Sequence, residues 1–236
     1  MFKKLTLGTL LALFAIAMGG WTITAQAAPN VESQALSAPA ATSLSAAETD
    51  GLLYMFEEEK LARDVYTALY AQWGQATFQN IAASEQIHMD AIATLLTRFG
   101  IAVPGTAAGV FNNTALQSLY KDLLAKGSLS YADALKVGAT IEEVDITDLR
   151  SRLAQTTNSD IQFVYNNLMS GSYNHLRNFA KVLNRLTGET YQPQYLDADL
   201  YQSIVTGSNG KGYGMLPNIS TSSNAPRLVK GQRGGR

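Results

Sequence analysis

Seven polar side chains interrupt the apolar faces of the four long helices that the sequence predicts, and both histidines of the chain are among them. Each of the seven falls near the middle of its helix, at a three-and-four spacing that would otherwise face a core. In the stretch "ASEQIHMD", Glu85 and His88 stand three residues apart, so they point to the same side of a helix. The seven residues are Glu59, Glu85, His88, Glu142, Asp145, Ser172 and His175.

Carboxylates on core-facing positions predict bound cations. A buried, unpaired carboxylate is costly, and four of them in one layer would repel each other and take up protons unless cations compensate. Two divalent metals would supply that charge, and carboxylate oxygen with imidazole nitrogen suits iron or manganese. The pattern therefore predicts a dinuclear site, with iron as the expected metal. Its predicted ligands are Glu59, Glu85, His88, Glu142, Asp145 and His175.

Simpler interpretations of these residues remain open at this stage. A lone histidine on an apolar face is more often a satisfied core residue, and Arg63, one turn from Glu59, is a candidate ion-pair partner. Glu57 and Glu58 are most simply a solvated face. The face through Glu58 is nevertheless partly apolar, so the choice between Glu58 and Glu59 as the ligand of the first helix stays open.

The third long helix also offers two adjacent candidates for its acidic ligand, Glu142 and Glu143. A face through Glu143 would include Lys136 and Arg150, whereas the face through Glu142 is apolar apart from its acids. This contrast favours Glu142 as the residue that points inward.

The elements that must position these side chains are all helical. Apolar residues recur at helical spacing, a capping box opens the first helix at Ser45 and Glu48, and glycines follow several of the helices. No strand pattern of useful length is present, so the fold class is all-α. The predicted long helices cover residues 45–73, 78–99, 130–154 and 160–186, with short helices over 114–126 and near 198–205.

The two ends of the chain differ in composition from the helical part. Residues 1–27 combine Lys3 and Lys4, an apolar run and the small-residue pattern "AQA", which is typical of a cleavable signal peptide. Residues 28–44 are rich in Ala, Ser and Pro and read as a flexible linker before the helical domain at 45–206. Residues 207–236 read as a disordered, basic, Gly/Ser-rich tail. The expected location is outside the cytoplasm, whether periplasmic, secreted or surface-associated.

Composition excludes several classes of function. The chain contains no cysteine, which rules out disulfides, zinc–thiolate sites and thiol catalysis. The net charge is −1 at pH 7. Residues 1–27 and 207–236 contain basic residues and no acid, so the part of the chain between them is distinctly acidic. Nucleic acid is therefore not an expected partner.

Several stretches resemble the ferritin-like superfamily. "EKLARDVY" resembles the rubrerythrin and bacterioferritin pattern in which a ligand Glu is followed by Ala at +3 and an aromatic residue at +7, here Glu59, Ala62 and Tyr66. "EQIH" is similar to the Glu-x-x-His of the second helix, and "IEEVDI" supplies the acid of the third. The segments "GLLYMFEEEKLARDVY", "NIAASEQIHMDAI", "ALKVGATIEEVDI" and "NHLRNF" more closely resemble the DUF2202 family. The resemblance covers about residues 45–206 and implies a ferritin-like four-helix bundle with one additional short helix between the second and third long helices.

One position departs from the ferritin-like pattern. The fourth helix usually carries a second Glu-x-x-His, but this chain has "SYNH", with Ser172 in place of the Glu. Asp145 on the third helix is the candidate replacement. If Asp145 does not replace it, the site is asymmetric and oxidative chemistry becomes doubtful.

The expected function is metal binding with ferroxidase-type or peroxidase-type activity. Its expected partners are two iron or manganese ions, O₂ or peroxide, and an electron donor outside the chain, since no cysteine-based electron carrier is present. The assembly is left open, with a homodimer among the alternatives. The competing hypothesis is a non-enzymatic metal-binding or interaction module whose site has degenerated.

Overall fold

The computed structural model describes residues 43–207, and within that range every regular element is an α-helix. The predicted signal peptide, nearly all of the predicted linker and nearly all of the basic tail lie outside the described residues. No helix among residues 43–207 combines the length and the apolarity needed to span a bilayer. The helices are α1 (Ala46–Trp73), α2 (Ala76–Arg98), α3 (Thr114–Gly127), α4 (Tyr131–Leu153), α5 (Ser159–Thr187) and α6 (Ala198–Thr206).

The all-α prediction is confirmed, and the helix bounds lie within about two residues of those expected from the sequence. The largest difference is at α2, which begins at Ala76, before the first periodic apolar residue Phe78. The residue that precedes α2, Gln75, makes no side-chain capping hydrogen bond. The sequence therefore carries no local signal for this helix start.

Capping groups fix most of the other helix ends. Ser45 and Glu48 form the predicted capping box, in which the Ser45 hydroxyl accepts from the Glu48 amide and the Glu48 carboxylate accepts from the Ser45 amide. Gly74, with φ of 63°, ends α1 in a left-handed conformation that a side chain would disfavour. Only two residues then separate α1 from α2, so the chain must reverse direction there.

The four long helices form a helical bundle around one apolar core. α1 packs mainly against α2, and α4 packs mainly against α5. Contacts of α1 with α4 and of α2 with α5 join the two pairs. α3 lies against α1 and α4, and α6 lies against α5. Each long helix therefore turns one face toward the same interior.

The expectation that Glu57 and Glu58 form a solvated face is wrong, because both side chains are buried. The Glu57 carboxylate accepts hydrogen bonds from the backbone amides of Asn112 and Asn113, at 2.7 and 2.8 Å. The long connection between α2 and α3 thus covers this part of α1. A contact between residues so distant in sequence leaves no trace in the local pattern of α1.

A buried carboxylate, that of Glu143, holds much of the segment after α5. Glu143 accepts the Tyr191 hydroxyl at 2.6 Å and the backbone amides of Gln194, Tyr195 and Leu196 at 2.7–2.9 Å. Four donors to one carboxylate offset the cost of burying its charge. The chain between α5 and α6 is therefore fixed to α4 at the residue that follows Glu142.

Candidate metal centre

One cluster of ligand atoms lies between α1 and α2. It consists of Glu59 from α1 with Glu85 and His88 from α2, and all three side chains are buried. His88 Nδ1 lies 3.2 Å from Glu59 Oε2 and 2.7 Å from Glu85 Oε2. One ligand atom from each residue lies within 4.8 Å of the other two. Two carboxylate oxygens and an imidazole nitrogen thus converge in a buried space small enough for one metal ion.

A second cluster joins α2 to α4 and α5. His175 Nδ1 lies 2.9 Å from Glu85 Oε1 and 3.4 Å from Glu142 Oε2, and these three side chains are also buried. Their ligand atoms lie within 4.8 Å of one another. Glu85 belongs to both clusters, with Oε2 toward His88 and Oε1 toward His175. One carboxylate therefore stands between two neighbouring ligand sets.

The two imidazole rings lie side by side and are oriented alike. Their centroids are 5.7 Å apart and their planes differ by 26°. In each ring Nδ1 faces the carboxylates, while Nε2 of His175 lies 3.0 Å from the Ser84 hydroxyl. A Cβ placed on Gly171 would lie 2.6 Å from Nε2 of His88. The absence of a side chain on Gly171 makes room for the His88 ring.

Without metal, protons on the histidines hold this network together. Burial disfavours the imidazolium, but the negative charges of Glu59 and Glu85 raise the pKa of His88 to about 12. Burial also lowers the pKa of His175, but the negative charges of Glu85 and Glu142 have the larger effect and raise it to about 10. Burial also opposes ionisation of Glu85, yet His175 and His88 hold its pKa well below the ordinary value. The metal-free chain thus carries both histidines as cations at neutral pH.

The remaining carboxylates are not fully neutralised by those two charges. Burial raises the pKa of Glu59 to about 7, even though His88 lowers it. Burial and the charge of Glu85 raise the pKa of Glu142. Burial together with Glu59 and Glu142 raises the pKa of Asp145 well above its ordinary value. Such shifts mark a centre with more negative charge than its own side chains can balance.

Asp145 and Ser172 face each other across α4 and α5. The Ser172 hydroxyl donates to Asp145 Oδ2, and Asp145 Oδ1 has no hydrogen-bond partner. The charge of Asp145 acts on Glu58, but its oxygens complete neither of the two ligand clusters. The structure therefore brings Asp145 to the edge of the centre and gives Ser172 a direct contact with it.

The structure separates the two candidate acids of α1. Glu59 contacts His88, whereas the pKa of Glu58 is raised by burial and then by the charges of Asp145 and Asp148 on α4. Arg63 does not pair with Glu59, because its guanidinium contacts Asp64. The ligand clusters accordingly include Glu59 and not Glu58.

Two residues beside the clusters were not predicted as part of the centre. The Tyr66 hydroxyl donates to Glu142 Oε1 at 2.5 Å and also reaches the Gly138 carbonyl at 3.3 Å. Ser84 contacts His175, as described above. The ring of Tyr66 packs against Phe179 in the core. Tyr66 lies two turns after Glu59 and so on the same face of α1. That position is the signal from which its contact with the acids of the centre could have been predicted.

Comparisons with known proteins agree with one another. The family model described as "Uncharacterized protein domain (DUF2202)" matches residues 48–208. The uncharacterised protein MJ0754 of Methanocaldococcus jannaschii is 50% identical over 171 residues, which cover 72% of this chain and 92% of that protein. A crystal structure of the hypothetical protein MJ0754 matches with a TM-score of 0.69, over 71% of this chain and 96% of that one.

Proposed function

The chain belongs to the DUF2202 family, and we propose that it binds two divalent metal ions between its long helices, with iron the preferred metal and manganese the alternative. The observation that carries the proposal is the position of Glu85, which faces His88 with one oxygen and His175 with the other. A carboxylate shared by two oxygen-and-nitrogen clusters is an arrangement that suits a pair of adjacent metals.

We propose further that the bundle is ferritin-like. Ferritin-like proteins consist of two helical hairpins joined by one long crossover, with metal ligands on the facing helices. Here α1 and α2 form one hairpin, α4 and α5 form the other, and the connection through α3 joins them. Each of the four long helices contributes at least one residue to the two clusters, which supports this assignment.

Glu59, Glu85 and His88 would hold the first ion, and Glu85, Glu142 and His175 would hold the second. Iron in these positions would supply redox chemistry toward O₂ or peroxide. Asp145 is proposed as the fourth carboxylate of the centre. The Ser172 hydroxyl holds Asp145 from α5, the helix on which ferritin-like proteins usually carry that acid.

The surrounding side chains would orient these ligands. Ser84 contacts Nε2 of His175, which leaves Nδ1 directed at the carboxylates. Tyr66 donates to one oxygen of Glu142 and leaves the other toward His175. The ligand side chains are almost fully buried, and His88 and His175, at 8% exposure each, are the most accessible of them. Any small oxidant would therefore approach most readily on the histidine side, between α2 and α5.

A second candidate function is a non-enzymatic metal-binding or interaction module. The absence of a Glu at position 172 favours it, because a centre with fewer carboxylates holds two oxidised ions less well. Both candidates retain the proposal that the mature protein acts outside the cytoplasm. They differ in whether bound metal reacts with an oxidant.

An anaerobic ferrous titration of the full chain tests the proposal. Two equivalents of Fe²⁺ bound per chain support the two-metal centre, whereas binding near zero contradicts it. One equivalent would indicate that the serine at position 172, in place of a glutamate, has removed one of the two metal sites. Subsequent exposure to O₂ or peroxide separates the candidates, because only the enzymatic one predicts rapid oxidation of the bound iron with repeated turnover.

A further inference from the structure

A groove of about 710 Å³ is lined by residues of α5, of α6 and of the segment that joins these helices. Its volume falls within the range of about 300–1,000 Å³ that is typical of sites for small organic molecules. Tyr191 and Tyr201 contribute apolar surface, since both are almost completely buried and their ring centroids lie 6.0 Å apart. None of the residues in the two ligand clusters lines the groove, so it is separate from the candidate metal centre.

Hydrogen bonds hold both walls of the groove in place. Arg177 Nη1 on α5 donates to the Ile204 carbonyl of α6 at 2.9 Å, and Arg177 Nη2 donates to the Asn174 side chain. Glu143, through the hydrogen bonds described above, fixes the joining segment that carries Tyr191. The groove is therefore formed by contacts within the protein before any ligand binds, which lowers the cost of ordering on binding.

The groove is positively charged, although the part of the chain that contains it is acidic. Arg177 and Lys181 both line it and stand four residues apart, so they project from the same side of α5. No acid among residues 43–207 lines the groove, so its side chains carry a charge of +2 at pH 7, one from each cation. Lys181 is exposed and forms no ion pair with an acid in that part of the chain. The carboxamides of Asn174 and Asn178 add uncharged donors to the same wall.

We propose that the groove between α5 and α6 binds a small phosphate monoester whose organic part is aromatic or apolar. A phosphate monoester carries about −1.5 to −2 charges at pH 7, which matches two cations, whereas a carboxylate would match only one. The guanidinium of Arg177 suits phosphate oxygens, and the ammonium of Lys181 supplies the second positive charge. The organic part would contact the rings of Tyr191 and Tyr201. This site goes beyond the proposed function and does not depend on bound metal.

Titration calorimetry of the metal-free full chain with phenyl phosphate tests the proposal, since without metal the phosphate cannot bind at a metal ion. Phenyl phosphate should bind at least about tenfold more tightly than inorganic phosphate or phenol, because each of these makes only part of the contacts. Lys181→Gln should weaken binding about tenfold, because a hydrogen bond between charged groups is lost, and Lys181→Arg should restore most of it. Lys121→Gln is the matched control, because Lys121 is an exposed lysine of α3 that does not line the groove, and it should bind like the wild type.

The other outcomes contradict the proposal in distinct ways. Absence of phenyl phosphate binding to the wild type would overturn it. Equal affinities of the wild type and Lys181→Gln would place the anion outside the groove and overturn it as well. Phenol that binds as tightly as phenyl phosphate would exclude recognition of the phosphate, and inorganic phosphate that binds as tightly would exclude recognition of the organic part. Because no proposed metal ligand lines the groove, this titration and the ferrous titration can fail independently.

Discussion

The imidazole rings of His88 and His175 lie 5.7 Å apart and nearly parallel, although they come from different helical hairpins. Both rings direct Nδ1 at the same carboxylate, that of Glu85. The only two histidines in the sequence thus flank one acid in the interior of the bundle. This relationship distinguishes a shared centre from two unrelated core histidines, and it defines what substitutions should do.

Removal of the shared carboxylate should have the largest effect on metal binding. Glu85→Gln takes an oxygen ligand from both clusters, so both ions should be lost. Glu142→Gln takes a ligand from the second cluster alone, so one ion should remain. Metal content after anaerobic loading measures both variants, with Asp122→Asn, the replacement of an exposed acid outside both clusters, as the control. Equal losses in the two variants would show that the two ligand clusters do not bind their ions independently.

Metal binding should strengthen as the pH rises. In the metal-free chain the pKa values of His88 and His175 are raised to about 12 and about 10, so both rings are protonated at pH 7. Metal must displace the proton from Nδ1, and a lower pH favours that proton. Binding at pH 7 should therefore release protons, which calorimetry in buffers of different ionisation enthalpy detects. An affinity independent of pH between 6 and 8 would exclude the histidines as ligands.

Replacement of Gly171 should weaken the first ion selectively. In Gly171→Ala the added Cβ would lie 2.6 Å from Nε2 of His88, so the ring must move. A ligand displaced by a fraction of an ångström weakens binding, and we expect about a tenfold loss, of the size seen when the support of a metal ligand is removed. The second ion should bind as before. Gly105→Ala, at a position with open space around it, is the control for glycine replacement.

Ser172→Ala should leave Asp145 without its hydrogen bond in the buried centre. The loss of one partner of a buried hydrogen bond costs about 1–3 kcal/mol. The free energy of unfolding of the metal-loaded chain should fall by this amount, as measured in urea. The metal-free chain should be affected less, because burial raises the pKa of Asp145 and favours its neutral form there. An equal loss in both states would mean that Asp145 does not bind metal.

The charge of Glu58 should destabilise the metal-free chain. Its pKa is raised well above 4.5 by burial and by Asp145, so the folded state disfavours the ionised form. The penalty is absent below the unfolded pKa and grows as the pH rises above it. Glu58→Gln should therefore be more stable than the wild type in the presence of a chelator, by more at pH 8 than at pH 5. Urea unfolding at the two pH values measures the difference, and a pH-independent difference would contradict it.

The sequence was sufficient for the helices and for some of the residues that meet in the centre. Helical periodicity and capping residues predicted the long helices, because both are local properties of the chain. The interruption of apolar faces indicated Glu85 and His175, because a buried charge stands out against an otherwise apolar pattern. On α1 the same pattern left the choice between Glu58 and Glu59 open. Whether these residues bind metal stays a prediction.

Contacts between residues that are distant in the sequence could not be predicted from it. The burial of Glu57 depends on backbone amides of the α2–α3 connection, and that of Glu58 depends on packing against α4. A run of three glutamates gives no indication that each member meets a different surface. The contact of Ser84 with His175 likewise joins two helices whose relative rotation no local pattern defines.

The attachment of Glu143 to the segment before α6 has a consequence for shortening this protein. A chain ended after α5 would leave an interior negative charge without its four donors, directly beside Glu142, a proposed ligand. The smallest stable fragment must accordingly extend past Leu196. We expect that a protease that cleaves this segment would disturb the proposed metal centre without cleaving at any of its ligands.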